Sequence, residues 1–148
     1  MINYLSPETA IEARLNEAGR LPDGWRVLVA ANLEGVLEKN QPTPAVHVLF
    51  LGESEIQSEP GGRVVYITQL WGTVLVDRNL RDLQTYGSAR EDLSPVIPQV
   101  LGSLMGWSPA EGFSALEPVR APLRLQYRNG YAYFPYAFIT RLQLRKTE

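Results

Sequence analysis

Between Ser6 and Gly19, apolar residues recur at Ile11, Leu15 and Ala18, the spacing of one helix face. Ser6 suits the cap of this helix, Pro7 its first turn and Glu8 the positive end of its dipole, and Gly19 supplies the stop. A helix apolar on one side has to dock on something. After the turn Pro22-Asp23-Gly24, Trp25 to Ala30 reads as a strand with Trp25, Val27 and Val29 on one face. Asn32 then caps a short helix holding Leu33, Val36 and Leu37. Asn40-Gln41-Pro42-Thr43-Pro44 breaks the chain before Ala45 to Leu51, a strand apolar on both faces.

From Gly52 to Gly62 the pattern turns polar, and the stretch with Glu53, Glu55, Glu59 and Pro60-Gly61-Gly62 reads as a hairpin loop. A long strand follows from Arg63 to about Val76. Val64, Tyr66, Leu70, Val74 and Val76 share one face, and Val65, Ile67, Trp71 and Leu75 the other. One layer of helices covers one side of such a strand. The second side asks for a partner subunit, or for an insertion hidden in what reads as loop. The strand ends in the polar turn Asp77-Arg78-Asn79-Leu80-Arg81-Asp82.

A second substantial helix spans roughly Arg90 to Met105, with Leu93, Ile97, Val100, Leu101 and Leu104 as its apolar stripe. Ser94-Pro95 and Pro98 mark a first turn or a kink, because proline deep in a helix costs about 3 kcal/mol. The last third returns to strand. Leu123 to Tyr127 alternates, Asn129-Gly130 signals a type I′ hairpin, and Tyr131 to Arg145 is the return arm. Within that arm Phe138, Leu142 and Leu144 alternate with Arg141, Gln143 and Arg145, so one face is wet, and Pro135 points to an edge strand or a bulge. The fold class is α+β: one domain over residues 1–148, a mostly antiparallel sheet with two main helices packed on one face.

Composition narrows the function more than it specifies it. A hydrophobic fraction of 45% and a charged fraction of 20% suit a globular core, and a net charge of −2 is too balanced for a dedicated nucleic-acid binder. No apolar run approaches the roughly 20 residues that span a bilayer, and Met1 to Leu5 lacks the basic head of a signal peptide. Both point to a cytoplasmic setting. With no cysteine and one histidine, His47, within an apolar strand, neither a thiolate site, a histidine metal cluster nor a His-based triad can be built. Ser54, Ser58 and Ser88 lack an elbow motif, Gly61-Gly62 lacks a phosphate-loop context, and Glu53, Glu55 and Glu59 lack the calcium-loop pattern. No catalytic, cofactor or metal site is expected. The aromatic group Tyr127, Tyr131, Tyr133, Phe134, Tyr136 and Phe138, interleaved with Arg124, Arg128 and Arg141, suits stacking on single-stranded bases, but suits strands and protein interfaces better.

The order of these elements resembles the phage tail terminator, or tail completion, proteins of Mu-like and related phages and prophages. The likeness runs over nearly the whole chain. It rests on the N-terminal helix, the strand ending Leu49-Phe50-Leu51-Gly52-Glu53, and the segment Val74-Leu75-Val76-Asp77-Arg78-Asn79-Leu80-Arg81-Asp82. The helix ending Leu101-Gly102-Ser103-Leu104-Met105-Gly106-Trp107-Ser108-Pro109 and the aromatic C-terminal hairpin complete it. The resemblance implies a virion tail protein, assembled in the host cytoplasm, whose copies form a hexameric ring. Such a ring caps the tail tube, ends its polymerisation and presents a surface to the neck, while DNA passes through the lumen without sequence-specific binding. Its partners would be itself, the tail tube protein and a neck or head–tail connector protein, with no membrane. The family offers no catalytic residues to carry over; Asp77, Arg78, Asn79, Arg81 and Asp82 are the subunit-interface candidates. Two rival readings are another head–tail joining, neck or tube subunit, and a small-molecule-binding α+β domain with a pocket beneath Trp71 and Trp107.

Overall fold

The computed structural model describes residues 2–37, 42–78 and 87–148. Helix α1 (Ser6–Leu15) starts one residue earlier than a Ser6 cap requires, because Leu5 holds the cap position and Ser6 is already helical. Proline in the first turn is tolerated there, where amide donors have no partner within the helix. Ile11 and Leu15 are buried on its inner side, and Arg14 ties α1 to α4 (Val96–Leu104): its Nε donates to the Ser103 carbonyl at 3.0 Å. Strand β1 (Arg26–Val29) leads to the short α2 (Leu33–Val36), whose cap is the expected one, the Asn32 side chain accepting from the Gly35 amide at 2.8 Å.

Three long strands carry the molecule: β2 (Ala45–Ser58), β3 (Val64–Arg78) and β6 (Tyr131–Arg145). β2 and β6 both run antiparallel to β3, β1 pairs with β2 in parallel, and the short β4 (Glu117–Val119) and β5 (Gln126–Arg128) pair with β6. The order across the sheet is β1-β2-β3-β6-β4, with β5 also on β6. The fold is thus α+β and mostly antiparallel. On one face α1, α3 (Gly87–Leu93) and α4 bury Ile11, Leu15, Leu93, Val100 and Leu104 against Val46, Val48, Trp71, Leu75 and Phe138.

Several elements depart from the sequence expectation, each for a local reason. The polar stretch after Gly52 is not a loop: β2 runs on to Ser58, pairing Glu55 with Thr68 and Gln57 with Tyr66. The register slips between Phe50 and Glu55, where Gly52 takes φ 92°. A bulge of this kind favours glycine and bends the strand. The helix expected from Arg90 to Met105 is two helices, parted at Ser94-Pro95, since the residue before a proline is disfavoured in the helical region. Pro98 falls in the first turn of α4 and breaks nothing. Pro135 does not mark a sheet edge. β6 is interior, and Pro135 faces the gap between β5, whose pairing begins at Tyr133, and β4, whose pairing begins at Ala137. Asn129 and Gly130 both take positive φ, 54° and 82°, as a type I′ hairpin requires.

The second face of the long strands is covered in part by the chain itself. Leu33, Val36 and Leu37 of the α2 region, with Leu51 and Leu123, bury Leu49, Val74, Val76, Tyr131 and Tyr133 in a separate cluster. The sequence argument that this side needed a partner therefore fails for one half of the sheet. It stands open for the other.

Candidate assembly surface

The long strands extend well past the helical layer, as a three-stranded arm made of residues 53–58 of β2, 64–69 of β3 and 140–145 of β6. Its helix-side face is covered in part by the segment before α1 and the loop after α4: Ile67 and Leu142 pack with Phe113, Ile2 and Tyr4. Gln69, fully buried, pins this arrangement, donating to the Tyr4 carbonyl at 2.8 Å and accepting from the Trp71 indole at 2.9 Å. Tyr4 in turn donates to Glu53 at 2.7 Å.

The opposite face of the arm carries Glu55, Gln57, Tyr66, Thr68, Arg141 and Gln143, which with Gly112, Phe113 and Ser114 of the loop after α4 line an open cleft of about 440 Å³. Among the described residues no helix residue lines it. Tyr66 donates to the Glu59 carboxylate at 2.7 Å, and this bond holds the phenol above its ordinary pKa. Arg141 reaches sideways to Glu117 on β4 at 2.6 Å. On the helix-side face, Ile56, level with Ile67 at the β2 edge, stays 61% exposed, the most open large apolar side chain of the described residues.

At the other end of β3 lie the residues that sequence reasoning picked out. Asp77 is 7% exposed and faces the helical layer, opposite Ala132 of β6. Its Oδ1 accepts from the Arg78 amide at 2.9 Å, and its Oδ2 is buried without a partner. Burial, and then the neighbouring Asp92 carboxyl of α3, push Asp77 up to about 6. Arg78 is exposed, while Asn79, Arg81 and Asp82 lie outside the described residues. The structure therefore separates the first two members of the turn: Asp77 turns inward and Arg78 outward.

His47 is 5% exposed, level with Val74, its Nε2 buried without a partner. Burial lowers its pKa, so it is a neutral core residue. Most of the aromatic group is also core: Tyr131, Tyr133 and Phe138 are buried, Phe134 and Tyr136 half-buried. Tyr127 alone is exposed, edge-on to Phe134 at 6.1 Å. A base-stacking platform needs open ring faces, and these rings do not offer them. Trp71 is fully buried against Phe50, and Trp107 carries the Arg14 guanidinium 5.1 Å from its ring centre.

Among the described residues no three His, Cys, Asp or Glu side chains converge as metal ligands, and no helix is long and apolar enough to cross a membrane. A comparison with curated protein sequences gives no match. The family model described as phage tail terminator protein matches residues 1–148, the full length of the sequence. The chain belongs to the phage tail terminator family, and is with it a structural protein of the virion tail that works in contact with other tail and head components.

Proposed function

We propose that this protein is the subunit of a hexameric ring that caps the tail tube, ends its polymerisation and presents the surface to which the head–neck complex joins. The family match over residues 1–148 carries this reading. The arm adds physical support, since a sheet with an open cleft on one face and strand edges that pair with β3 alone past Val48 and Arg141 is a surface that asks for protein neighbours. The chain would act as one domain, without catalysis or cofactor, and would assemble in the host cytoplasm. Its partners are other copies of itself, the tube protein and the neck connector. DNA passes through the lumen, and a net charge of −2 avoids holding its phosphates. The polar turn that starts at Asp77 and includes Arg78, Asn79, Arg81 and Asp82 is proposed as a contact with a neighbouring subunit.

Deleting the gene from its phage or prophage tests this function. Particles lacking the protein should carry overlong tails, or tails that fail to join heads, when viewed by electron microscopy. Tails of normal length joined to filled, infectious heads would overturn it.

A further inference from the structure

Resting on the ring reading above, we propose how the copies meet: the outer edge of β2 in one arm lies beside the outer edge of β6 in the next arm, so the sheet continues from subunit to subunit. The occupant of each edge is a second copy of this chain.

Both edges are open among the described residues. β1 pairs with β2 only as far as Val48, where the Ala30 amide makes the last bond, and beyond it β2 is bonded to β3 alone. On the other side, β5, β4 and finally Ser114 cover β6 no further than Arg141. Residues 55–58 and 142–145 therefore each present backbone donors and acceptors that another strand can take up.

The two edges carry opposite charge. The β2 side bears Glu53, Glu55 and Glu59, and the β6 side bears Arg141, Arg145 and Lys146, all exposed. The ion pairs of the described residues are Arg14 and Arg20 with Glu17, and Arg141 with Glu117, so the three β2-side carboxylates have no cation of their own. Pairing related by a two-fold axis would set glutamate against glutamate or arginine against arginine. Head-to-tail pairing sets acid against base, and head-to-tail contacts are those that close rings.

Level matters as well as sign. A closed ring allows no translation along its axis, so with strands running near that axis each residue meets its neighbour at its own level. Glu55 and Arg141 are both level with Thr68, and Gln57 and Gln143 are both level with Tyr66. Glu59 bonds to Val64, which is level with Arg145. The two rows past Ser114 thus join an amide to an amide and an acid to a base, and at the row that Ser114 covers the Glu55 side chain approaches the Arg141–Glu117 pair. β2 and β6 share one direction, both being antiparallel to β3, so rotation about such an axis gives a parallel ladder.

The test uses two double variants of the full chain: Glu55→Lys with Glu59→Lys, whose edges are both basic, and Arg145→Glu with Lys146→Glu, whose edges are both acidic. All four positions are exposed, so melting temperature and circular dichroism should match the wild type. In sedimentation velocity, where the wild type forms rings, each variant alone should run as the subunit, and an equimolar mixture should form rings of alternating copies. As a second reading, Gln57→Cys with Gln143→Cys in this cysteine-free chain should give a covalent ladder of multimers on oxidation. Rings from either variant alone, a mixture that stays monomeric, or the absence of the ladder would overturn the edge contact and leave the ring reading standing. A wild type that stays monomeric alone and with tail-tube particles would overturn both.

Discussion

The base of the sheet and its arm are made of the same three strands, yet the two halves have opposite surroundings. At the base, Trp71, Leu75 and Phe138 lie under α1, α3 and α4 while Val74, Val76 and Tyr133 lie under α2, and each is at most 2% exposed. In the arm, Ile67 and Leu142 are covered on one side, Tyr66 is 43% exposed on the other, and, among the described residues, positions 55–58 of β2 and 142–145 of β6 pair with β3 alone. Burying apolar area is worth about 25 cal/mol per Å². The base therefore holds the fold, while the arm leaves its surface for something outside the chain.

The largest expected effect sharpens this contrast directly. Trp71→Ala empties the centre of the row Phe50-Trp71-Phe138 and strips the buried Gln69 oxygen of its donor. It should cost about 3–5 kcal/mol in urea unfolding. Tyr66→Ala, an aromatic on the same strand, should cost only a small fraction of that, since its ring is open and its bond to Glu59 lies in water. Similar losses at the two positions would mean that the arm is as much core as the base.

The sequence made the base easy to read and the arm hard. Ala45 to Leu51 and Trp71 to Val76 announce themselves by apolar residues on both faces, and Asn129-Gly130 fixes the start of β6 at Tyr131. Glu53-Ser54-Glu55-Ile56-Gln57-Ser58 has no buried face, so periodicity gives it no strand signal and it reads as loop. One clue was available: the glycine-marked turn Pro60-Gly61-Gly62 before β3 invites the residues preceding it to pair back as a hairpin arm. The cover that α2 gives the second face was not visible, because a helix of one turn carries too few residues to show which side of a sheet it joins. The inward turn of Asp77 was hidden for a similar reason, since it depends on packing against Asp92 from a distant part of the chain.

A smaller effect should come from that inward carboxyl at the base. The folded pKa of Asp77, about 6, lies above the unfolded value of about 4, so the folded chain holds this proton more tightly. The stability this provides is complete below about pH 4 and is lost as pH rises through about 6. Asp77→Asn keeps an oxygen for the Arg78 amide and removes the charge. Its unfolding free energy should match the wild type near pH 4 and exceed it by about 2 kcal/mol at pH 7.5. Parallel profiles for the two proteins would place the carboxyl in water and make the base less closed than described.

The smallest effect on the fold, and the most direct probe of what each half contacts, concerns Arg78 and Arg81. Arg78 is exposed at the end of β3 opposite the arm, and surface substitutions of this kind change stability by within about 0.5 kcal/mol. Four of the six residues from Asp77 to Asp82 are charged, so a turn that merely faces solvent would absorb a reversal of sign without consequence. A turn that meets a neighbouring subunit would not, because like charges brought together across an interface cost several kcal/mol. The double variant Arg78→Glu with Arg81→Glu should therefore keep the wild-type melting temperature and shift sedimentation from ring to smaller species. An unchanged profile, in conditions where the wild type assembles, would remove the turn from the interface. Contacts between subunits would then rest on the bare edges of the arm, and the division between a self-contained base and an outward-facing arm would run the full length of the sheet.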